Sequence, residues 1–408
     1  MTAWKASGGS STVDGVLTTV AVRGYRSLRD VVLPLGRLTV VTGPNGSGKS
    51  NLYRALRLLA ATAREGAPAA LAREGGLSSA LWAGRESGGE GHGTRRKHPV
   101  RVELGIAGED TGYSLSLGLP QPPFTDAIAQ LFARDPEIKE ERVWAGPILK
   151  TSTVLSERSG PLIRSRGRDG WTILSSKART HESMLDAVVD PDRAPELVRT
   201  REELRSWRFY DHLRTDPEAP ARTPRPGART SALADDGGDL AAALATAMDL
   251  GRADAVDTAV HRAFPDSRIE VVSRDGMFEL LLHQPGLLRP LHAAELSDGT
   301  LRFLMLTAAL LTPRPPQLIV LNEPEQSMHR SLLTALARML REAANQTQLV
   351  VVSHSPELVD ELGRAGGTDT PTASDTSAVV TVELTKDAGE TAVVGQDGPL
   401  DRPGWRWP

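Results

Sequence analysis

The 408-residue chain contains no cysteine. That excludes disulfides, a thiol nucleophile, iron–sulfur ligation and any zinc site built on cysteine, and it fits a reducing compartment. No apolar run approaches the ~18 residues that a membrane helix needs. Residues 1–15 are small and polar, without the apolar core of a secretory signal. A soluble, cytoplasmic protein is the expectation. Internal repeats and sustained heptads are also missing, which excludes a long coiled-coil arm. Nor is there an excess of one charge: the formal net charge is −3, so the molecule as a whole is not a polybasic nucleic-acid binder. A local basic surface stays open, because net charge says nothing about distribution. With 39% hydrophobic and 24% charged residues the composition is that of an ordinary globular protein. Its length suits two or three domains.

What the chain does have is punctuated apolar patterning. Short β-branched runs predict strands over 17–22, 31–35 and 38–42, and the last runs into a glycine-rich turn followed by a helix over 49–63. Alternation over 100–106 and 113–119 predicts a hairpin. From about 120 to 235 helical pieces (183–189, 194–212) sit among loops, and four prolines within 216–227 exclude regular structure there. Helices are expected again near 240, 254–264, 300–311 and 331–344. Strands are expected at 268–272, 278–283, 318–321 and 348–352, with a closing hairpin at 378–384 and 391–394. The chain therefore divides into a first half-head (1–115), a helical and loop insertion (116–235), a second half-head (236–395) and a tail (396–408).

Gly43-Pro44-Asn45-Gly46-Ser47-Gly48-Lys49-Ser50 fits G-x-x-x-x-G-K-[ST] between a strand and a helix. Glycines let the backbone wrap closely round phosphate oxygens, and the successive N–H groups with the helix N-terminus present partial positive charge. Lys49 is then the β/γ-phosphate ligand and the Ser50 hydroxyl a Mg²⁺ ligand. The apolar strand 318–321 ends in Asn322-Glu323-Pro324-Glu325. Glu323 is placed to polarise an attacking water, and Asn322 to hold a metal-bound water without adding negative charge. Ser297-Asp298-Gly299 opens an apolar helix, where one residue is either a plain N-cap or part of a phosphate-binding turn. His354, just past strand 348–352, is either a solvated side chain or a partner of the γ-phosphate and the attacking water.

In this order the four segments resemble the Walker A, signature, Walker B and switch-histidine elements of an ABC-type ATPase head. Gly24-Tyr25-Arg26-Ser27 looks like the N-F-[RK]-S element that opens RecF, SMC and related DNA-repair ATPases. Asn322–His329 is similar to the E-P-E-x-x-L-H element of RecF-like and OLD-like AAA-type ATPases. The resemblance implies an α/β P-loop NTPase fold, an ABC-type head with mixed sheets. It implies that Arg26 and Asn51 join residues 43–50 around ATP, and that Gln326–His329 form a D-loop. Ser297, Asp298 and Gly299 would then touch ATP held by a second copy. ATP and Mg²⁺ are the implied cofactors. The implied partners are a second copy, DNA and a separate nuclease or effector, in repair, recombination or anti-phage defence.

The sequence departs from the pattern at Asp298, where transporters usually have Gly, and at Asn322, where an acid is usual. Gln121 is a candidate Q-loop residue, and the segment after His354 is too short for the Toprim nuclease domain of OLD-family proteins. Asn322 keeps open a slow or non-hydrolysing switch. A transporter's nucleotide-binding subunit is a further alternative, against which the 24–27 opening, the E-P-E run and the insertion argue. Basic candidates for DNA contact are Arg95, Arg96, Lys97, residues 164–168 and residues 199–208, with solvated loops and helix faces as the competing reading.

Overall fold

A computed structural model describes residues 15–82, 84, 101–120, 130–364, 379–398 and 400–408. Strands β1 (Leu17–Tyr25) and β2 (Leu28–Pro34) form a hairpin, from which β3 (Leu38–Thr42) crosses into a second sheet. The phosphate-loop turn leads into helix α1 (Lys49–Glu65), followed by α2 (Ala67–Arg73) and α3 (Leu77–Ala80). Strands β4 (Arg101–Gly108), β5 (Thr111–Gly118), β6 (Glu137–Ala145), β7 (Val154–Ser159), β8 (Leu162–Gly167) and β9 (Gly170–Ser175) complete an antiparallel sheet ordered β2-β1-β4-β5-β6-β7-β8-β9. Helices α4 (Met184–Ala187) and α5 (Pro195–Ser206) then lead to the short strand β10 (Arg208–Tyr210).

The second half begins with β11 (Arg225–Pro226) and helices α6 (Leu240–Ala247) and α7 (Ala253–Ala263). Strands β12 (Arg268–Arg274), β13 (Met277–His283) and β14 (Leu291–His292) make a small antiparallel sheet with β11. Helix α8 (Asp298–Leu310), β15 (Leu318–Asn322), α9 (Arg330–Ala344), β16 (Gln348–Val352) and α10 (Pro356–Arg364) follow. Strands β17 (Val379–Asp387) and β18 (Glu390–Val393) close the chain's regular structure. The central sheet is ordered β10-β15-β16-β3-β17-β18, parallel except for the last pair.

Period-two alternation divides that sheet's residues between two cores. Val41, Val320, Val350 and Val352 pack with Leu52, Leu56 and Leu59 of α1. Val40, Ile319, Leu321, Leu349 and Val351 pack with Phe303 and Leu306 of α8 and Leu336 and Leu340 of α9. A parallel sheet covered on both faces favours apolar residues on both, which is why these strands read as largely apolar runs, with buried Thr39 and Gln348 as exceptions. Among the described residues no helix is long and apolar enough to cross a membrane.

The segment 116–235, expected to hold helices and loops, carries strands as well. Residues 137–175 are four antiparallel strands that extend the N-terminal sheet, and the helix expected over 194–212 stops at Ser206 so that β10 can pair in parallel with β15. Polar residues fill the buried face of the added strands and erase the apolar alternation. Fully buried Glu141 accepts hydrogen bonds from Tyr113 Oη (2.7 Å), Ser183 Oγ (2.5 Å) and the Met184 amide (2.7 Å), and pairs with fully buried Arg158 at 3.4 Å. Ser156 and Ser165 both donate to Glu196 on α5.

The tail at 396–408 is packed. Trp405 meets Trp144 edge-on at 5.6 Å, and Trp407 lies under Arg23 at 4.7 Å and donates to Asp30 at 3.1 Å. Breaking a buried ion pair strands its partner's charge, so Glu141→Ala is expected to cost about 3–5 kcal/mol. The measurement is a urea melt, in which the midpoint falls while the slope holds.

Candidate functional site

The carboxyl ends of β3, β16 and β15 lie side by side, with β16 in the middle. Each releases one functional loop at the same edge. From β3 comes the turn 43–50, in which Pro44, Asn45, Gly46 and Ser50 are exposed while Ser47, Gly48 and Lys49 are buried. The Lys49 ammonium donates to the carbonyls of Gly43 (2.5 Å) and Pro44 (3.0 Å), so it is folded back over its own loop. Burial lowers the pKa of Lys49, and the Glu323 carboxylate opposes that shift.

The loop is clasped from outside by β18. Thr391 Oγ1 donates to the Ser47 carbonyl at 2.8 Å and sits 2.7 Å from Ser27 Oγ, which accepts from Asn51 Nδ2 at 2.8 Å. Gly48 has φ +110°, and a Cβ there would lie 2.1 Å from Thr391 Oγ1. This glycine is therefore required by the clasp as well as by the left-handed turn. Asn51 and Ser27 support the loop, whereas Arg26 is committed elsewhere: its guanidinium pairs with Glu74 at 2.7 Å and donates to Tyr25 Oη at 3.2 Å.

From β15 comes Glu323, whose amide continues the sheet by donating to the Val352 carbonyl at 2.8 Å and whose φ is +49°. A left-handed non-glycine residue stores strain that the neighbouring structure must hold. From β16 comes His354, with its Nε2 3.2 Å from Glu323 Oε1; both side chains are about one-third exposed (35% and 36%). The two expected catalytic residues thus meet at one point. Glu325 fixes the histidine loop from beneath. Its Oε1 accepts from Ser353 Oγ (2.6 Å), the His354 amide (3.0 Å) and the Ser355 amide (3.1 Å). Asn322 Oδ1 and Ser47 Oγ are buried with no protein partner. An orphaned amide oxygen beside Glu323, together with the exposed Ser50 hydroxyl, fits a hydrated Mg²⁺.

Helix α8 reaches the same edge. Ser297 and Asp298 are exposed at its start, and Gly299 is buried. Ser297 Oγ caps the helix by accepting from the Thr300 amide at 3.2 Å. A Cβ on Gly299 would lie 2.5 Å from the Ser327 carbonyl, so the 326–329 run rests on the 297–299 turn. Asp298 pairs with Arg222 at 2.7 Å, and Arg222 also donates to the carbonyls of Leu296 (2.7 Å) and Thr215 (2.7 Å). Arg302, buried on α8, donates to the Glu323 carbonyl at 3.2 Å. Burial lowers its pKa, against the pull of Glu325 and Glu323.

Arg222, Arg302, Glu325 and Thr391 are site-supporting residues that sequence patterning did not reveal. Arg222, Arg302 and Thr391 are lone polar residues whose partners lie well along the chain. The one available signal was Glu325, inside the E-P-E run. Of the basic candidates, the 199–208 run is largely spent internally: Arg199 pairs with Glu203, and Arg205 with Asp186 and the Ala63 carbonyl. Arg95, Arg96, Lys97 and Gln121 lie outside the described residues.

Residues 38–360 match the family described as "AAA domain, putative AbiEii toxin, Type IV TA system". The chain belongs to this family. Over 44 residues this AAA-domain chain is 46% identical to the OLD nuclease of Thermus scotoductus, a match that spans 11% of this chain and 8% of that protein. Among solved structures it is similar to an SMC head bound to the C-terminal winged-helix domain of ScpA (TM-score 0.52, 13% identity, 93% of this chain and 97% of that one). It is also similar to the Pyrococcus furiosus SMC head with an extended coiled coil, bound to the C-terminal domain of ScpA (TM-score 0.50, 12% identity, 93% and 96%). The fold is that of a P-loop NTPase of the ABC type, as in these SMC heads.

Thr391→Val removes a hydroxyl that serves two buried oxygens at once. Leaving such groups unsatisfied costs roughly 1–3 kcal/mol, and ATP affinity measured by calorimetry is expected to fall by roughly five- to a hundred-fold.

Proposed function

We propose that the chain binds ATP between two copies of itself and hydrolyses it, with Glu323 as the general base for the attacking water. The contact that carries this reading is the 3.2 Å meeting of His354 Nε2 and Glu323 Oε1 at the strand edge shared with the Lys49 loop. In this role His354 orients Glu323 and the γ-phosphate oxygen, and the Glu325 carboxylate holds the histidine loop in place. Residues 43–51 cradle the triphosphate, with Lys49 turning from its loop carbonyls onto the β/γ oxygens. Bound Mg²⁺ would neutralise charge on those phosphates, with Ser50 and Asn322 holding it. The exposed Ser297–Asp298 edge and Gly299 behind it would close on the ATP of the second copy. Contact of Arg26 with nucleotide would require release from Glu74.

The ATP cycle would act on DNA in repair, recombination or anti-phage defence, together with a separate nuclease or effector. Its support is the short match to an OLD nuclease and the SMC-head fold. The test uses Glu323→Gln. Phosphate release is expected to fall about 10²–10⁴-fold, the range supplied by a positioned base, while light scattering still detects an ATP-dependent dimer. Loss of that dimer in Glu323→Gln, or unchanged ATP affinity in Lys49→Ala, would overturn the reading.

A second reading, a slow switch that dimerises on ATP with little turnover, is favoured by one residue. Asn322 brings an uncharged oxygen to a position where an acid would attract the metal more strongly. Asn322→Asp is expected to lower the Mg²⁺ concentration for half-maximal phosphate release roughly tenfold, the scale of a one-charge change. An unchanged Mg²⁺ requirement would remove Asn322 from the metal site.

A further inference from the structure

Apart from the nucleotide site, the antiparallel sheet and the C-terminal tail enclose a groove of ≈ 730 Å³. Its walls carry five cations, Arg142, Lys150, Arg164, Arg166 and Arg406, against one carboxylate, Glu157. Glu157 is shared, pairing with Arg164 and lying 4.0 Å from Arg142. Arg166 donates to the Ser152 carbonyl at 3.1 Å. Lys150 and Arg406 have no ion pair among the described residues. The carbonyl that Arg166 meets is neutral, so Lys150, Arg166 and Arg406 leave three charges for a ligand.

Two tryptophans stand in the same groove. Trp171 is 40% exposed and has the Arg164 guanidinium over its ring at 4.6 Å. Trp407, in the C-terminal tail, also lines the groove and carries Arg23 over its ring at 4.7 Å. Trp407 is half-buried against Arg23 and Trp405, so Trp171 offers the more open ring. An arginine on one face of a ring extends a flat, polarised platform of the kind on which bases stack. A duplex keeps its bases stacked inside and offers a groove mainly phosphates. A single strand presents both phosphates and free base faces, and therefore matches this mixture of cations and rings.

We propose that this groove binds a single strand of nucleic acid, with phosphates against Lys150, Arg406 and Arg166 and a base against Trp171. The idea rests on the DNA-linked reading above and gives it a location and a strand type. Fluorescence anisotropy on the full chain, using a labelled oligonucleotide of about 20 nucleotides (longer than the ~4–16 of common single-strand sites) and its duplex, tests it. The native protein is expected to prefer the single strand. Lys150→Ala/Arg406→Ala should reduce the magnitude of the log–log salt slope by about 1.4, the loss of two single-strand phosphate contacts. Trp171→Ala should weaken single-strand binding roughly five- to a hundred-fold, with little change for duplex, and Trp171→Phe should recover part of the loss. ATP affinity unchanged in each variant reports intact folding.

If the native protein binds the single strand and all three variants match it, the groove is rejected while the DNA-linked reading stands. A native preference for duplex that is indifferent to Trp171 rejects the single strand as occupant. Binding of polyglutamate in place of oligonucleotide, lost in the double variant, assigns the groove to an acidic protein and overturns the proposal. No oligonucleotide binding by the native chain overturns both ideas.

Discussion

The site depends on one constraint: β16 lies between β3 and β15, in parallel with both. Because strands in a parallel sheet end at the same edge, three segments separated by up to about three hundred residues of chain release their loops within reach of one another. The pairing Leu321–Val351–Val40 sets the register, and a slip of one residue would turn Val351 from the α9 core to the α1 core. Apolar packing on both faces thus sets where Lys49, Glu323 and His354 stand. Their chemistry is positioned by hydrophobic side chains that touch no ligand.

A second layer of the design is polar and convergent. Glu325 gathers three donors of the histidine loop, Arg222 gathers the carbonyls around the 297–299 turn, and Thr391 joins the N-terminal hairpin to the 43–50 loop. Each residue serves several partners at once, so the loops are held by fixed hydrogen bonds rather than by length or stiffness. That suits groups which must meet a charged ligand without first reorganising.

The central sheet, and the loops that bring Lys49, Glu323 and His354 to its edge, were legible in the sequence because their signals are local. An apolar strand ending in Gly-x-x-x-x-Gly-Lys-Ser or in Asn-Glu-Pro-Glu carries its meaning within ten residues. The extension of the antiparallel sheet was not legible. Glu141, Arg158, Ser156 and Ser165 occupy interior positions that alternation would assign to leucine or valine, and they are satisfied by partners on other strands or on α5. The end of α5 at Ser206 was hidden for the same reason. Buried Trp207 and Phe209 continue the apolar pattern of a helix, and only the free edge of β15 turns the chain into a strand. Arg26 was read for its place in a motif, while its side chain is held by Glu74, which lies in a segment without a motif.

The close approach of Gly299 to the Ser327 carbonyl leaves no slack between the start of α8 and the loop that follows Glu323. Arg302 adds a second tie, from the next turn of the same helix to the Glu323 carbonyl itself. Displacement of Glu323 is therefore geared to the tilt of α8. The exposed first turn of that helix, at Ser297 and Asp298, is thereby tied to the place of the Glu323 backbone.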